Sequence, residues 1–160
     1  MSKKGSKKNK SRINIKGETT GVLPLSLEEQ LKEQMEAPMV RLRYACAIDV
    51  MQGKLRMLNA DLTEQKNRQV VRSMSARIKS TDSIIKKLLR KGREVTFEEA
   101  VETLNDIAGI RVVCYFCDDI YEVAELIRRQ KDIKIRKEKD YVKNPKKSGY
   151  QSIHLIVGVP

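Results

Sequence analysis

The chain has 160 residues, 40% of them hydrophobic and only 4% aromatic, enough for one modest domain with an appendage but not for two full cores. Charged residues make up 34% and leave a formal net charge of +12, which favours polyanionic partners such as nucleotides, nucleic acid or an acidic membrane surface. The three cysteines lack framework spacing, no apolar segment follows the N-terminal lysines, and no apolar run approaches the roughly 20 residues of a bilayer-crossing helix; a soluble, cytoplasmic protein is expected, with no membrane partner.

Residues 1–21 read MSKKGSKKNKSRINIKGETTG, almost without anything to bury, and are expected to form a disordered basic tail. Such a tail serves either as a solubilising segment or as an RNA contact, and the lack of an interleaved aromatic residue weakens the second reading. Residues 22–70 are expected to be N-terminal helices. Ser26 with Glu29 forms a capping box for a short helix to about Glu36. Pro38 suits the first turn of the next helix, in which Val40, Leu42, Tyr44, Ala47, Ile48, Met51, Leu55, Leu58 and Leu62 recur at three- and four-residue spacing to about Gln69. Gly53 costs on the order of 1 kcal/mol inside that helix relative to alanine.

Residues 71–160 are expected to form the main domain. Val70 to Lys79 reads as a strand, and Ser80, Thr81 and Asp82 cap the amphipathic run SIIKKLLR, closed by Gly92. Thr96 opens a further helix to about Leu104. The continuous apolar run from Ile110 to Phe116 predicts a central strand buried on both faces. Asp118 and Asp119 start the helix IYEVAELIRRQ, whose terminal charges complement its macrodipole. Two alternating segments, Lys131 to Tyr141 and Gln151 to Val159, flank the basic loop VKNPKKSG. The order α-α-β-α-α-β-α-β-β predicts an α+β fold.

Three constellations carry chemistry. In the first, strand alternation places Arg77 and Lys79 on one face, and i, i+4 spacing places Ser83 and Lys87 on one face of the following helix, next to amides that attract anions. A triphosphate site and a merely solvated basic edge both fit. In the second, NDIAGIRVV sets Asp106 before the apolar strand and Arg111 within it. Those two residues fit a site for Mg²⁺ and phosphate oxygens, or equally a structural ion pair. In the third, KDYVKNPKKSGYQSIH crowds Lys139, Lys143, Lys146 and Lys147 around a loop ending in Tyr150 and His154, the only histidine. Lysines and amides there can cradle phosphates, Gly149 permits close approach, Tyr150 offers a flat face to a purine, and His154 shares its strand parity. A lysine-rich hairpin with a satisfied histidine is the plainer alternative. Cys114 and Cys117, spaced like half a zinc site, read as core, since alternation points them to opposite faces and no second pair exists.

The runs RIKSTDSIIKKL, DIAGIRVVCYF and KDYVKNPKKSGYQSIH, in this order, resemble the synthetase domain of RelA/SpoT-type alarmone enzymes, in particular the small alarmone synthetases. The resemblance implies a nucleotidyltransferase-like mixed β-sheet with flanking helices, and a GTP pyrophosphokinase of the stringent response that moves pyrophosphate from ATP to the 3′-hydroxyl of GDP or GTP. It implies that Arg77 contacts the adenine while Lys79, Ser83 and Lys87 hold the ATP phosphates. Asp106 would bind Mg²⁺ and, with Arg111, serve the transferred phosphates. Tyr150 would stack on guanine, with Lys139, Lys146, Ser148 and His154 holding the rest of the acceptor nucleotide.

The family pattern continues beyond the last matching run into a strand with an E-x-Q-x-R-T motif. Its glutamate is the family's base and metal partner, so the expectation for residues 1–160 alone is little or no turnover. An unpaired sheet edge is expected for the same reason, and the homo-oligomer of the full-length family is not expected here. A second reading is therefore a catalytically impaired nucleotide- or RNA-binding module, and a third is a basic scaffold in which all three constellations are coincidental. Alarmone hydrolysis is not expected, because one histidine cannot supply a hydrolase metal site.

Overall fold

The computed structural model describes residues 25–160; the expected basic tail, and the RNA contact assigned to it, lie outside the described residues. Nine elements follow in chain order: α1 (Leu27–Glu36), α2 (Pro38–Lys66), β1 (Val71–Ile78), α3 (Thr81–Arg90), α4 (Phe97–Thr103), β2 (Ala108–Cys114), α5 (Cys117–Arg128), β3 (Lys134–Asp140) and β4 (Ile153–Gly158). The order is the expected one, and no described helix is long and apolar enough to cross a membrane.

Local chemistry explains most boundaries. The Ser26 hydroxyl accepts the Glu29 amide at 3.2 Å while the Glu29 carboxylate accepts the Ser26 amide at 2.8 Å, so the capping box closes at both ends. Pro38 disfavours a helical conformation at the preceding residue, and Ala37 is extended (φ −53°, ψ 134°), separating α1 from α2. Gly53 leaves α2 unbroken, since the helix is held along its length by Met51, Leu55 and Leu62 packed into the core. At α3 the expected cap differs in detail. The Ser80 hydroxyl bonds to the Ser83 hydroxyl at 2.9 Å instead of a backbone amide, and the Ser80 carbonyl accepts the Ser83 and Ile84 amides. Gly92, at φ +63°, ends that helix in the left-handed region where only glycine is unstrained.

The strands form two antiparallel ladders, β1 with β2 and β3 with β4. The expectation of a central strand buried on both faces is overturned. Among the described strands β2 hydrogen-bonds to β1 alone, and it alternates, with Ile110, Val112 and Cys114 packed against the core and Gly109, Arg111 and Val113 exposed. Apolar residues ran unbroken because Val113, Tyr115 and Phe116 occupy solvent-facing positions, at 38%, 49% and 58% exposure. Cys114 is half-buried, where burial raises its thiol pKa to about 11, whereas Cys117 opens α5 and is exposed, so the two do not share the core.

Two apolar cores hold the elements. The first joins Leu31 and Met35 of α1 to Ile84, Ile85 and Leu88 of α3 and to Ala100 and Leu104. The second joins α2 to Val123 and Ile127 of α5 and to the inner faces of the ladders. Between α2 and β1, Arg68 reaches across to the first turn of α5 and grips Asp119, whose side chain is fully buried, with bonds of 2.7 and 2.9 Å. This anchor fixes where β1 begins, and thereby the register that carries the cationic residues described next.

Candidate active site

The β1–β2 ladder pairs Arg77 with Gly109 and Ser75 with Arg111. Cross-strand partners share a face, so Arg77 and Arg111 stand diagonally on one open face, and Gly109 puts no side chain opposite Arg77. β1 stops at Ile78. Lys79 then turns off the strand, its amide donating to the Ile107 carbonyl at 2.7 Å. Its ammonium lies 2.6 Å from Asp106 Oδ2, and Lys87, from α3, meets the same oxygen at 2.6 Å.

This arrangement overturns the structural Asp106–Arg111 ion pair, one of the two readings of those residues. The carboxylate is taken by Lys79 and Lys87, not by Arg111, and Arg111 is exposed rather than buried in the strand. Partial burial pushes the Asp106 carboxyl up, but the hydrogen bonds and charges of the two ammonium groups outweigh it and hold the carboxyl below its ordinary range. Both bonds fall on Oδ2, and Oδ1 takes none among the described residues.

The second ladder supplies the other cluster. Lys139 and His154 are cross-strand partners, and Tyr141 packs edge-on against His154 at 5.2 Å between ring centroids. Tyr150 lies ahead of β4, not within it as parity implied, yet its hydroxyl is hydrogen-bonded to His154 Nε2 at 3.0 Å. Lys146 Nζ sits 4.7 Å from the Tyr141 ring centre and 5.1 Å from that of Tyr150, a cation against two aromatic faces. The loop between the strands is folded on itself. Gly149, at φ +76°, donates to the Lys146 carbonyl, Lys146 donates to the Tyr150 carbonyl, and Asp140 accepts the Val142 and Lys143 amides.

Both clusters open into one cleft of about 950 Å³, lined among the described residues by seven lysines and arginines and a single carboxylate, an imbalance suited to polyphosphates. Of the expected site residues, Arg77, Lys87, Asp106, Arg111, Lys139, Lys146 and His154 line it, and Lys79 and Tyr150 border it through Asp106 and His154. Ser83 and Ser148 are exposed and do not line the cleft; the Ser83 hydroxyl is held by Ser80. Sequence reasoning passed over Lys91, Lys137 and Tyr141, which do line it. For Lys137 and Tyr141 the signal was available: they share the parity of Lys139, Lys137 within β3 and Tyr141 directly after it.

A cleft that joins an ammonium-flanked carboxylate to a cluster of tyrosines, lysines and an imidazole has the chemistry of a nucleotide site on an α+β scaffold. Comparison with known proteins gives the family: the model for the region found in RelA and SpoT proteins matches residues 76–159, and the chain belongs to that family. It is 38% identical over 117 residues to the GTP pyrophosphokinase YwaC of Bacillus subtilis, covering 73% of this chain and 56% of that protein. Among solved structures it is similar to small alarmone synthetase 1 from Bacillus subtilis bound to its product pppGpp, with TM-score 0.67 and 32% identity over 82% of this chain and 64% of that one. It is similar also to small alarmone synthetase 2 from Bacillus subtilis, with TM-score 0.62 and 37% identity over 74% of this chain and 59% of that one. These likenesses bear out the expected α+β, nucleotidyltransferase-like fold. The chain spans about half the length of the curated relatives it matches.

Proposed function

We propose that this chain carries the nucleotide-binding face of a (p)ppGpp synthetase, a cytoplasmic GTP pyrophosphokinase that transfers pyrophosphate from ATP to the 3′-hydroxyl of GDP or GTP. The observation that carries the reading is the single cleft into which the Lys79–Asp106–Lys87 cluster and the Lys139–His154–Tyr150 cluster both open. The names of its relatives, a GTP pyrophosphokinase and a synthetase holding pppGpp, support the same reading.

In this reading ATP occupies the side built by β1, α3 and β2. Arg77 lies against the adenine, while Lys79 and Lys87 neutralise phosphate oxygens. Ser83 joins them once its hydroxyl leaves Ser80. Arg111, free on the open face of β2, serves the phosphates under transfer. The acceptor occupies the β3–β4 side, where Tyr150 stacks on guanine once Lys146 shifts to a phosphate, and Lys139, Ser148 and His154 hold the remaining oxygens. The bond formed joins the 3′-oxygen to the β-phosphorus of ATP. The bond broken joins that phosphorus to the oxygen bridging to the α-phosphate, and AMP leaves with that oxygen. The chain's contribution is positioning and charge neutralisation, the main sources of catalysis in phosphoryl transfer.

The residues present fit Mg²⁺. The Asp106 side chain is about half exposed and Oδ1 has no partner among the described residues, which suits an ion held by one carboxylate, waters and substrate phosphates. When bound, the ion supplies charge neutralisation at the phosphate oxygens.

The test of the reaction uses the product of the whole gene with labelled ATP, GDP or GTP, and Mg²⁺. Formation of AMP and a guanosine 3′-pyrophosphate is expected, and their absence refutes the assignment. The binding reading is tested on residues 1–160: Tyr150→Ala should weaken GDP by about 5- to 100-fold, the range of one lost base stack, and leave affinity for a non-hydrolysable ATP analogue unchanged.

A further inference from the structure

We infer that Tyr121 of α5, which lies outside the cleft, is a positioning residue for the acceptor nucleotide: its hydroxyl holds Asp140, and Asp140 holds the turn from which the loop carrying Lys146, Ser148 and Tyr150 departs. This role rests on the acceptor reading proposed above and adds to it a residue that touches no nucleotide.

The two faces of β3 do different things. Lys137, Lys139 and, directly after the strand, Tyr141 line the cleft, whereas neither Asp140 nor Tyr121 does. Glu138 and Asp140 have the opposite parity and are tied to α5. Arg128 donates to both Glu138 oxygens, at 2.6 and 3.1 Å. The Tyr121 hydroxyl donates to Asp140, 3.1 Å from Oδ2 and 3.4 Å from Oδ1. Asp140 is the last residue of β3, paired with Ile153 at the end of the ladder. Its Oδ1 accepts the Val142 and Lys143 amides, both at 2.9 Å, a side-chain turn that sets the direction in which the chain leaves the strand. One carboxylate thus receives the turn on one side and α5 on the other.

α5 fixes that hydroxyl independently of the loop. Asp119, two residues before Tyr121, is fully buried and meets Arg68 at 2.7 Å and Lys66 at 3.3 Å, and Val123 and Ile127 sit in the second core. Burial, then the Asp140 carboxylate, push the Tyr121 phenol above its ordinary range, so it stays a donor. The loop beyond the turn has less to hold it. Residues 143–151 are all exposed, and the loop's side-chain ties to the ladder are Tyr150 with His154 and Lys146 with Tyr141. A bound acceptor claims Lys146, Tyr150 and His154 for itself, which leaves the Asp140 turn to hold the root of the loop. Loss of the Tyr121 hydroxyl therefore lowers the fraction of molecules whose loop is ready for the acceptor, and apparent affinity falls by that fraction. Saturating nucleotide restores the ordered loop, so turnover at saturation is largely kept.

The test is steady-state kinetics of the product of the whole gene with ATP, GDP and Mg²⁺, reading AMP, with circular dichroism confirming that each variant is folded. Tyr121→Phe keeps the ring and removes only the hydroxyl. KM for GDP should rise about tenfold, the scale of one lost hydrogen bond to a charged group, while KM for ATP stays within about twofold and kcat within about threefold. In an Asp140→Ala background, Tyr121→Phe should change KM for GDP by less than about twofold, because both residues act through one carboxylate. Arg128→Gln cuts the other tie between α5 and β3, and should leave KM for GDP within about twofold. Equal losses for both substrates, a fall in kcat alone, full additivity with Asp140→Ala, or an Arg128→Gln effect as large as that of Tyr121→Phe would each make Tyr121 a general packing residue and overturn its role. Tyr150→Ala separates that failure from failure of the acceptor reading. If it weakens GDP and Tyr121→Phe does not, only the role of Tyr121 is lost; if it leaves GDP unaffected, the acceptor site itself is misassigned. Should the gene product form no AMP, the reaction reading fails, and the same variants are compared by GDP affinity with the same expected ratios.

Discussion

Lys139 and His154 face each other directly across the β3–β4 ladder, so an ammonium and an imidazole share one face of the cleft. Partial burial first, then the charges of Lys146 and Lys139, push the His154 pKa below its ordinary 6.5. The neutral ring is favoured in the fold, so its contribution to stability is present above that value and lost as pH falls through the folded pKa. A bound polyphosphate reverses the local field and favours the imidazolium. Through the His154 titration, nucleotide binding should therefore take up protons at this ring, and the ring's contribution to GDP affinity should grow as pH falls. Calorimetry in two buffers of different ionisation enthalpy measures the uptake. His154→Gln should abolish it, and an unchanged proton count in that variant would place the linkage elsewhere.

Asp106 makes a separate prediction. With both ammonium groups on Oδ2, the carboxylate is the only anion among the described residues that line a strongly cationic cleft. Asp106→Asn removes the one carboxylate that the described residues offer a divalent ion in the cleft, yet it leaves Lys79 and Lys87 free for phosphate. Mg²⁺ should tighten binding of an ATP analogue to the wild-type chain, and the variant should lose that enhancement, on the order of tenfold. Binding without Mg²⁺ should be unchanged or tighter in the variant. Retention of the Mg²⁺ effect would show that the ion is held without this residue.

The buried Asp119 predicts acid sensitivity of the fold. The Arg68 hydrogen bonds and, after the opposing effect of burial, the Lys66 bond hold its carboxyl below the ordinary 3.8. Its contribution is therefore fully present above that value and lost as pH falls through the lower folded pKa. Asp119→Asn should lower the urea midpoint at pH 7 and flatten the decline of stability below pH 4, because the titrating group is gone. An unaltered acid slope would assign the decline to other carboxylates.

Much of this was legible in the sequence because local chemistry fixed it. The Ser26–Glu29 box, the Pro38 start, Gly92 and the Thr96 cap each satisfy orphan backbone groups within a few residues, so each element boundary is a short-range event. That Lys139 and His154 would stand together was legible for the same reason, both being parts of one hairpin. What was not legible depended on long-range pairing. That Asp106 would meet Lys79 and Lys87, and not Arg111, follows from the Lys79–Ile107 backbone bond joining segments far apart in sequence. The run through Val112, Val113 and Cys114 announced burial on both faces, but apolar composition alone does not say how many neighbours a strand finds.

Leu31 gives the last prediction, about how α1 belongs to the fold. Composition and patterning set the N-terminal helices apart from the residues that carry the site. In the structure Leu31 is fully buried, in one cluster with Ile84 and Leu88 of α3, the helix that delivers Lys87. Polar ties run the same way: Lys32 pairs with Asp82 at 2.9 Å, and the Thr81 hydroxyl donates to Glu36 at 3.2 Å. Both are partly or largely exposed and add little beside the apolar contact. Leu31→Ala should therefore cost about 3 kcal/mol, as a fully buried leucine does when its cavity cannot collapse. If α1 is integral, urea unfolding followed by circular dichroism and by bound fluorescent nucleotide should show one transition, shifted equally for both signals. If α1 is an independent appendage, the nucleotide signal should keep its midpoint while only the helical signal moves.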